Sequence, residues 1–170
     1  MKKKVEIGKI VNVAGIDHIV LDIFENSVLC LAKDFVYEYT EFDNNSNNYA
    51  ESALRKKLNT EYLDKLEAAI GAENIIASEI DLTSDDGLDD YSKVNDKVGL
   101  LTADMYRKYN RIIEDYPVDD WWWLSTPWST PHRGCCYSVR VVSGDGTLDS
   151  DFCDLVNGVR PFCIFSSSIF

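Results

Sequence analysis

Histidine is scarce in this chain: His18 and His132 are its only two, and most of the sequence separates them. That excludes a multi-histidine metal site of the catalytic zinc kind. Basic residues are also few, and 17 Lys and Arg against 29 Asp and Glu leave a net charge of −12. Duplex nucleic acid is held through clustered Lys and Arg, so that partner is excluded and an anionic membrane is a poor one. No apolar run approaches the roughly 20 residues that a membrane span needs, which excludes membrane insertion. There is no glycine-rich phosphate loop, no Gly-x-Ser-x-Gly elbow and no His-Glu-x-x-His pair. Internal repeats and low-complexity linkers are missing too. The residue pattern names no cofactor, no metal set and no enzyme class.

What is present suits one globular domain: 170 residues, 45% of them hydrophobic, can bury a real core. Met1-Lys2-Lys3-Lys4 begins as a signal peptide does, yet Glu6, Lys9 and Asp17 interrupt the next stretch and leave no apolar h-region. The expected location is therefore a phage virion or the cytoplasm. The cysteines are Cys30, Cys135, Cys136, Cys153 and Cys163. An odd count without an export signal reads as reduced thiols, with a bridge from Cys135 or Cys136 to Cys153 as the alternative.

Taken in order, 5–14 reads as a strand ending at Gly15, and 16–24 with 27–33 as a hairpin turning at Glu25-Asn26. Residues 35–42 extend as a further strand, and His18 is a polar strand residue rather than a ligand. Asp43 to Asn48 is a polar loop. Ala50, Leu54 and Leu58 give a helix one apolar face. Asn59-Thr60 reads as a break, with Thr60 capping a second helix that carries Tyr62, Leu63, Leu66 and Ile70 to Gly71. Asp81 to Asp90 is an acidic loop, solvated or holding calcium, although its spacing departs from the EF-hand pattern. After a short buried strand at 98–101, Thr102 caps a helix from Ala103 to about Glu114. Its core face is Met105, Tyr106, Tyr109, Ile112 and Ile113.

The last fifty residues are composed differently. Trp121-Trp122-Trp123-Leu124-Ser125-Thr126-Pro127-Trp128 opens them and Gly158-Val159-Arg160-Pro161-Phe162-Cys163-Ile164-Phe165 closes them. Between these apolar ends lie Ser, Gly, Asp, Cys and Arg, with β-type runs at 137–142 and 147–148, which suggests buried strands holding exposed loops. Lys stops at Lys108 and Glu at Glu114, and from Ser129 onward there is no Met, Ala or Trp. On a strand Trp122 would face away from Trp121 and Trp123, so the cluster is mostly core, and Trp128 is the exposed aromatic. Cys135 or Cys136 with His132 is a nucleophile-like fragment, but no third group orients it.

Three stretches together resemble a known family: Tyr49-Ala50-Glu51-Ser52-Ala53-Leu54-Arg55-Lys56-Lys57-Leu58-Asn59, Trp122-Trp123-Leu124-Ser125-Thr126-Pro127 and Gly158-Val159-Arg160-Pro161-Phe162. The family is a domain of gut bacteria and their phages that is similar to C-type lectin-fold domains. Its C-terminal portion often serves as the variable region of diversity-generating retroelements, in which reverse transcription randomises codons at adenines. Such codons do not become Lys, Glu, Met or Trp, and the tail's composition agrees. The resemblance spans nearly the whole chain. It implies a single α+β domain of C-type lectin-like fold, with 1–120 as scaffold and 121–170 as the variable ligand-binding region.

The diversified positions it implies are His132, Cys135, Cys136, Arg140, Gly144, Asp145, Asp149, Asp151, Phe152, Cys153, Asp154, Leu155 and Asn157. Trp128, Tyr137 and Phe152 would add apolar contact, and Arg133, Arg140 and the Asp cluster would set charge selectivity. Trp122, Leu124, Pro127, Val139, Val141, Gly158, Val159, Arg160 and Pro161 would be the frame, with Arg160 a buried or half-buried hydrogen-bonding anchor for the loops rather than a ligand contact. The expected partner is a protein or cell-surface macromolecule. The Glu-Pro-Asn, Gln-Pro-Asp and Trp-Asn-Asp signatures of calcium-dependent sugar-binding lectins are missing, so the resemblance does not carry sugar binding with it. A calcium-assisted carbohydrate-binding module using the Asp81–Asp90 loop or Asp145, Asp149 and Asp151 stands as the alternative. Nothing places the catalytic cysteines of formylglycine-generating enzymes, a similar fold, on this chain.

Overall fold

The computed structural model describes residues 4–170. Strands β1 (Ile10–Val13), β2 (Ile16–Ile23) and β3 (Ser27–Ala32) form an antiparallel meander whose second turn is the expected Glu25-Asn26. The first strand is shorter than its sequence pattern, because Gly8 adopts φ 78 and turns the chain before it. A bulge in β2 between Val20 and Asp22 shifts the register by one residue and leaves Ile23 exposed although it continues the apolar alternation. Residues 33–36 then leave this sheet, and β4 (Tyr37–Glu41) joins another.

The helical region starts with a turn at Tyr49–Glu51 and continues as α1 (Ala53–Lys57), whose N-cap is Ser52, its Oγ accepting from the Arg55 N–H at 3.1 Å. No break follows at Asn59-Thr60. The chain passes through a π turn at Leu58–Tyr62 straight into α2 (Leu63–Ile70). The cause is the apolar stripe itself. Leu54, Leu58, Tyr62 and Leu66 are all buried at a strict spacing of four, which drifts around an α-helix of 3.6 residues per turn. A π turn takes more residues per turn and brings the stripe back onto the core. Thr60 donates its hydroxyl to the Lys56 carbonyl at 2.7 Å instead of capping, and the Asn59 amide reaches the carbonyls of Arg55 and Val98. Gly71, at φ 88, ends the helix as expected.

Next come β5 (Ile75–Ile76), β6 (Ser78–Ile80), β7 (Val94–Asp96) and β8 (Val98–Gly99), then α3 (Ala103–Ile113), which Thr102 caps by accepting from the Met105 N–H. Tyr106, Tyr109 and Ile113 on α3 are buried, and Met105 and Ile112 are half-buried. The tail supplies β9 (Trp122–Pro127), β10 (Ser138–Val142), β11 (Leu148–Phe152), β12 (Val156–Val159) and β13 (Phe162–Ser166).

One sheet has the order β1-β2-β3-β13-β5, with β8 also on β13; the other is β11-β10-β9-β12-β4, and β6 pairs with β7 as a separate ribbon. Every pairing is antiparallel except the single parallel bridge between β9 and β12. The architecture is thus mixed α+β with mostly antiparallel sheets. Helix α3 touches β2 of one sheet and β9 of the other, so both sheets share one core. Among the described residues no helix is long and apolar enough to cross a membrane.

The chain changes sheets at Arg160-Pro161, and there Arg160 is buried. It donates from Nε to the Ala32 carbonyl at 3.1 Å and from Nη2 to those of Lys33 at 2.7 Å and Tyr116 at 3.4 Å, while its guanidinium lies 5.0 Å from the Trp122 ring. Burial without an ion-pair partner pulls its pKa down to about 10, with Asp34 and Tyr106 countering only partly. These bonds tie the crossing to the segment after β3 and to the end of α3, the anchoring role expected of it.

Candidate functional site

Strand β9 is buried along its whole length. Trp122 packs edge-on against Tyr106, whereas Trp123 turns to the opposite face, stacks obliquely on Phe42 and donates from Nε1 to the Thr40 carbonyl at 2.7 Å. Core therefore covers both faces of the strand. Where β9 ends, Trp128 emerges half exposed, its N–H bonded to the Ser138 carbonyl at 2.9 Å. The following segment makes a short turn at Pro131–Arg133 that closes at Gly134, in the left-handed region at φ 71.

Beyond that turn, the Tyr137 carbonyl accepts the Cys153 N–H at 2.7 Å, and Ser138 stands directly opposite Phe152 across β10 and β11. These bonds set the backbones of Trp128, Tyr137 and Phe152 side by side, and Leu155 and Val156 follow at the next turn. All five side chains are between 46% and 58% exposed, and they are half of the large apolar side chains exposed on the described surface. His132, Arg133 and Asp154 are exposed beside them, and Cys135 and Cys136 are half-buried.

Other loops brace this face from below. Buried Asn47 donates from Nδ2 to the carbonyls of Ser129 and Ser138, both at 3.0 Å, accepts the Tyr91 hydroxyl at 2.5 Å, and bonds the Cys136 carbonyl through its own N–H. The acidic loop is tied to the same segment. Asp86 accepts from the Ser129 hydroxyl at 2.7 Å and pairs with Arg133 at 3.1 Å, and Asp90 accepts from the Thr130 hydroxyl. Hydrogen bonds from Ser84 and Ser129 hold the Asp86 carboxyl below the usual carboxylate range. Asp85 pairs with Arg107 at 2.8 Å and lies 3.4 Å from Arg140 Nε. The aspartates of this loop are exposed, and Asp85, Asp86 and Asp90 are engaged by arginines and hydroxyls. Among the described residues no three His, Cys, Asp or Glu side chains cluster as metal ligands.

Several residues expected at the surface lie elsewhere. Arg140 is buried, because β9 bulges away between its pairings with Val139 and Val141 and leaves space for the guanidinium. It stacks 5.1 Å from the Trp128 ring, and its Nε, near Asp85 but misaligned, has no hydrogen-bond acceptor. Cys153 is buried between its backbone bonds to Tyr137, Phe42 and Asp43, and burial pushes its thiol up to about 11, the opposite of nucleophile activation. Asn157 is buried and donates to Asp151 at 2.9 Å, while its neighbour Val156, which the sequence pattern does not mark, faces outward. Strand alternation explains that exchange.

Gly144 and Asp145 sit in the turn between β10 and β11, at the opposite end of β10 from Trp128. Asp145 organises that turn. It accepts from the Ser143 hydroxyl and from the N–H and hydroxyl of Thr147, and these bonds hold its pKa at about 2. All five cysteines carry free thiols. Asn47, Tyr91, Asp85 and Val156 join the site without a motif to announce them. The Asp81–Asp90 charge run is the one available signal for the loop that carries Asp85.

A cavity of about 420 Å³ lies away from this face, lined by Asp34, Phe35, Glu38, Tyr39, Asp119 and Asp120 among others. Comparison of the chain with protein-family models, with curated proteins and with solved structures gives no match.

Proposed function

We propose that this chain is a non-enzymatic binding protein of C-type lectin-like fold, whose C-terminal segment displays a retroelement-diversified surface for a protein or other macromolecular ligand. The observation that carries the reading is the group of exposed apolar side chains Trp128, Tyr137, Phe152, Leu155 and Val156, which sit at or just beyond the ends of β9, β10, β11 and β12, with β9 buried along its whole length beneath them. Contiguous exposed apolar side chains on a rigid frame mark interaction sites. Tyrosine and tryptophan also contribute large contact area at low entropic cost. The motif resemblance and the missing Lys, Glu, Met and Trp after Ser129 support the same reading. The calcium-assisted alternative gains no support from the loop, where Asp85, Asp86 and Asp90 are taken up by arginines and a hydroxyl.

A combined Tyr137→Ser, Phe152→Ser and Leu155→Ser variant tests the division into frame and display surface. Each change is expected to alter stability by no more than about 0.5 kcal/mol, as at ordinary surface positions. Trp122→Ala is expected to cost about 3–5 kcal/mol, as aromatic truncations in cores do. Chemical denaturation of the two proteins reads the difference, and similar losses in both would contradict the proposal.

A further inference from the structure

We infer that the outer edge of β11 is a strand-pairing surface for a second copy of this chain, held shut by the carboxylates of Asp149 and Asp151. The inference rests on backbone geometry and concerns Asp149 and Asp151 as this chain carries them, two positions that the proposed function counts among those diversified.

Strand β11 closes one end of its sheet, so one row of its N–H and C=O groups lacks a strand partner. The register with β10 identifies the row. Alternate residues of an antiparallel strand point their backbone groups to opposite sides. The N–H of Ser150 donates to Asp149 Oδ1 at 2.8 Å and that of Phe152 to Asp151 Oδ1 at 3.0 Å, so neither bonds to β10. Ser150, Phe152 and, by alternation, Leu148 therefore carry the outward row, and two aspartates occupy two of its donors. The edge at the other end of the sheet is broken differently, by Tyr39 at φ 47 in β4 and by a register shift against β12.

The sequence of β11, Leu148-Asp149-Ser150-Asp151-Phe152, is self-complementary about Ser150. Two antiparallel copies centred there bring the outward groups of Leu148 and Ser150 and the Phe152 N–H into hydrogen-bonded register, the Phe152 carbonyl already accepting the Leu155 N–H at 3.0 Å, and place each Leu148 beside the other copy's Phe152. The same register sets Asp149 opposite the other copy's Asp151. Like charges directly opposite one another oppose pairing. The aspartates thus act twice, by occupying the donors and by repelling their counterparts. A symmetric two-fold contact is the form such pairing takes.

The test compares wild type, D149T/D151T and the control D154T by sedimentation velocity over a concentration series, with hydrogen exchange read at the Ser150 amide. Wild type and D154T are expected to stay monomeric at every concentration. D149T/D151T is expected to reach twice the monomer mass, with the Ser150 amide protected only in the dimer. Asp151 also accepts from Asn157, so if D149T/D151T fails to fold, D149T/D151N keeps that acceptor while freeing the Ser150 N–H and removing both charges, and it is expected to dimerise in the same way. A folded variant that remains monomeric, or a dimer in which the Ser150 amide exchanges freely, overturns the inference. So does a wild type already paired through Ser150.

Discussion

Gly158 in β12 lies against the Phe35 ring so closely that any Cβ would collide with it. Gly158→Ala is therefore expected to cost about 1–3 kcal/mol by overpacking, and trimming the ring with Phe35→Leu should recover much of that loss. Equilibrium denaturation of the single and double variants reads the coupling. His18 offers a second test. It is fully buried with Nδ1 bonded to the Ile16 carbonyl at 2.9 Å and Nε2 without a partner, and burial lowers its pKa from 6.5 to about 4. The unfolded chain takes up this proton at higher pH than the folded one. The stabilising contribution is present in full above pH 6.5 and is lost as pH falls towards 4. It amounts to about 3 kcal/mol at most. The loss of stability from pH 7 to 4.5 should be smaller in His18→Gln than in wild type, and equal slopes would remove His18 from the explanation. At this scale the sequence was informative about Trp128, whose place after Pro127 bears on its exposure, while the anchoring role of Arg160 was what the family resemblance implied. It misplaced Arg140, Cys153 and Asn157, expected on the binding surface but buried, because a bulge or a covered second face leaves no trace in local alternation.

At the scale of elements, the β2–β3 hairpin and the Thr102-capped α3 were legible, since a turn or cap lies next to a strong apolar period. The α1–α2 boundary was not. Asn59 and Thr60 are good breakers by propensity, yet the stripe from Leu54 to Leu66 and the Asn59 bonds to Arg55 and Val98 keep the chain helical. Tertiary packing outweighed local preference. The same helix is fixed by Arg55, which bonds Asp96 on β7 through Nε and Nη2, both at 2.8 Å, with the carboxylate almost wholly buried. Arg55→Met strands that charge and is expected to cost about 3 kcal/mol, whereas Arg55→Met with Asp96→Leu should cost less than the single change. Thermal melts of both proteins check the order, and a more damaging double change would contradict it.

At the scale of the whole molecule, the first two thirds of the chain brace the last third. Asn47, Asp86 and Asp90 come from loops far away in sequence and hold the segment that carries Trp128 to Tyr137, while Tyr91 bonds Asn47 and Asp85 lies against Arg140 on β10. Such long-range pairing cannot be read from a single sequence, and so the acidic run was visible while its partners were not. Gly144 and Asp145 show the complementary error: they are close to the site in sequence but lie at the far end of β10.

The most direct test of a diversified binding surface is the DNA flanking the gene. The expected finding is a near-copy of the segment encoding Trp121 to Phe170, beside a reverse transcriptase gene, differing from it only where the copy has adenine. The differing codons should include exposed positions such as His132, Phe152 and Leu155 and spare Trp122, Gly158 and Arg160. No such copy, or differences concentrated in the buried frame, would contradict a diversified surface and leave a fixed binding domain.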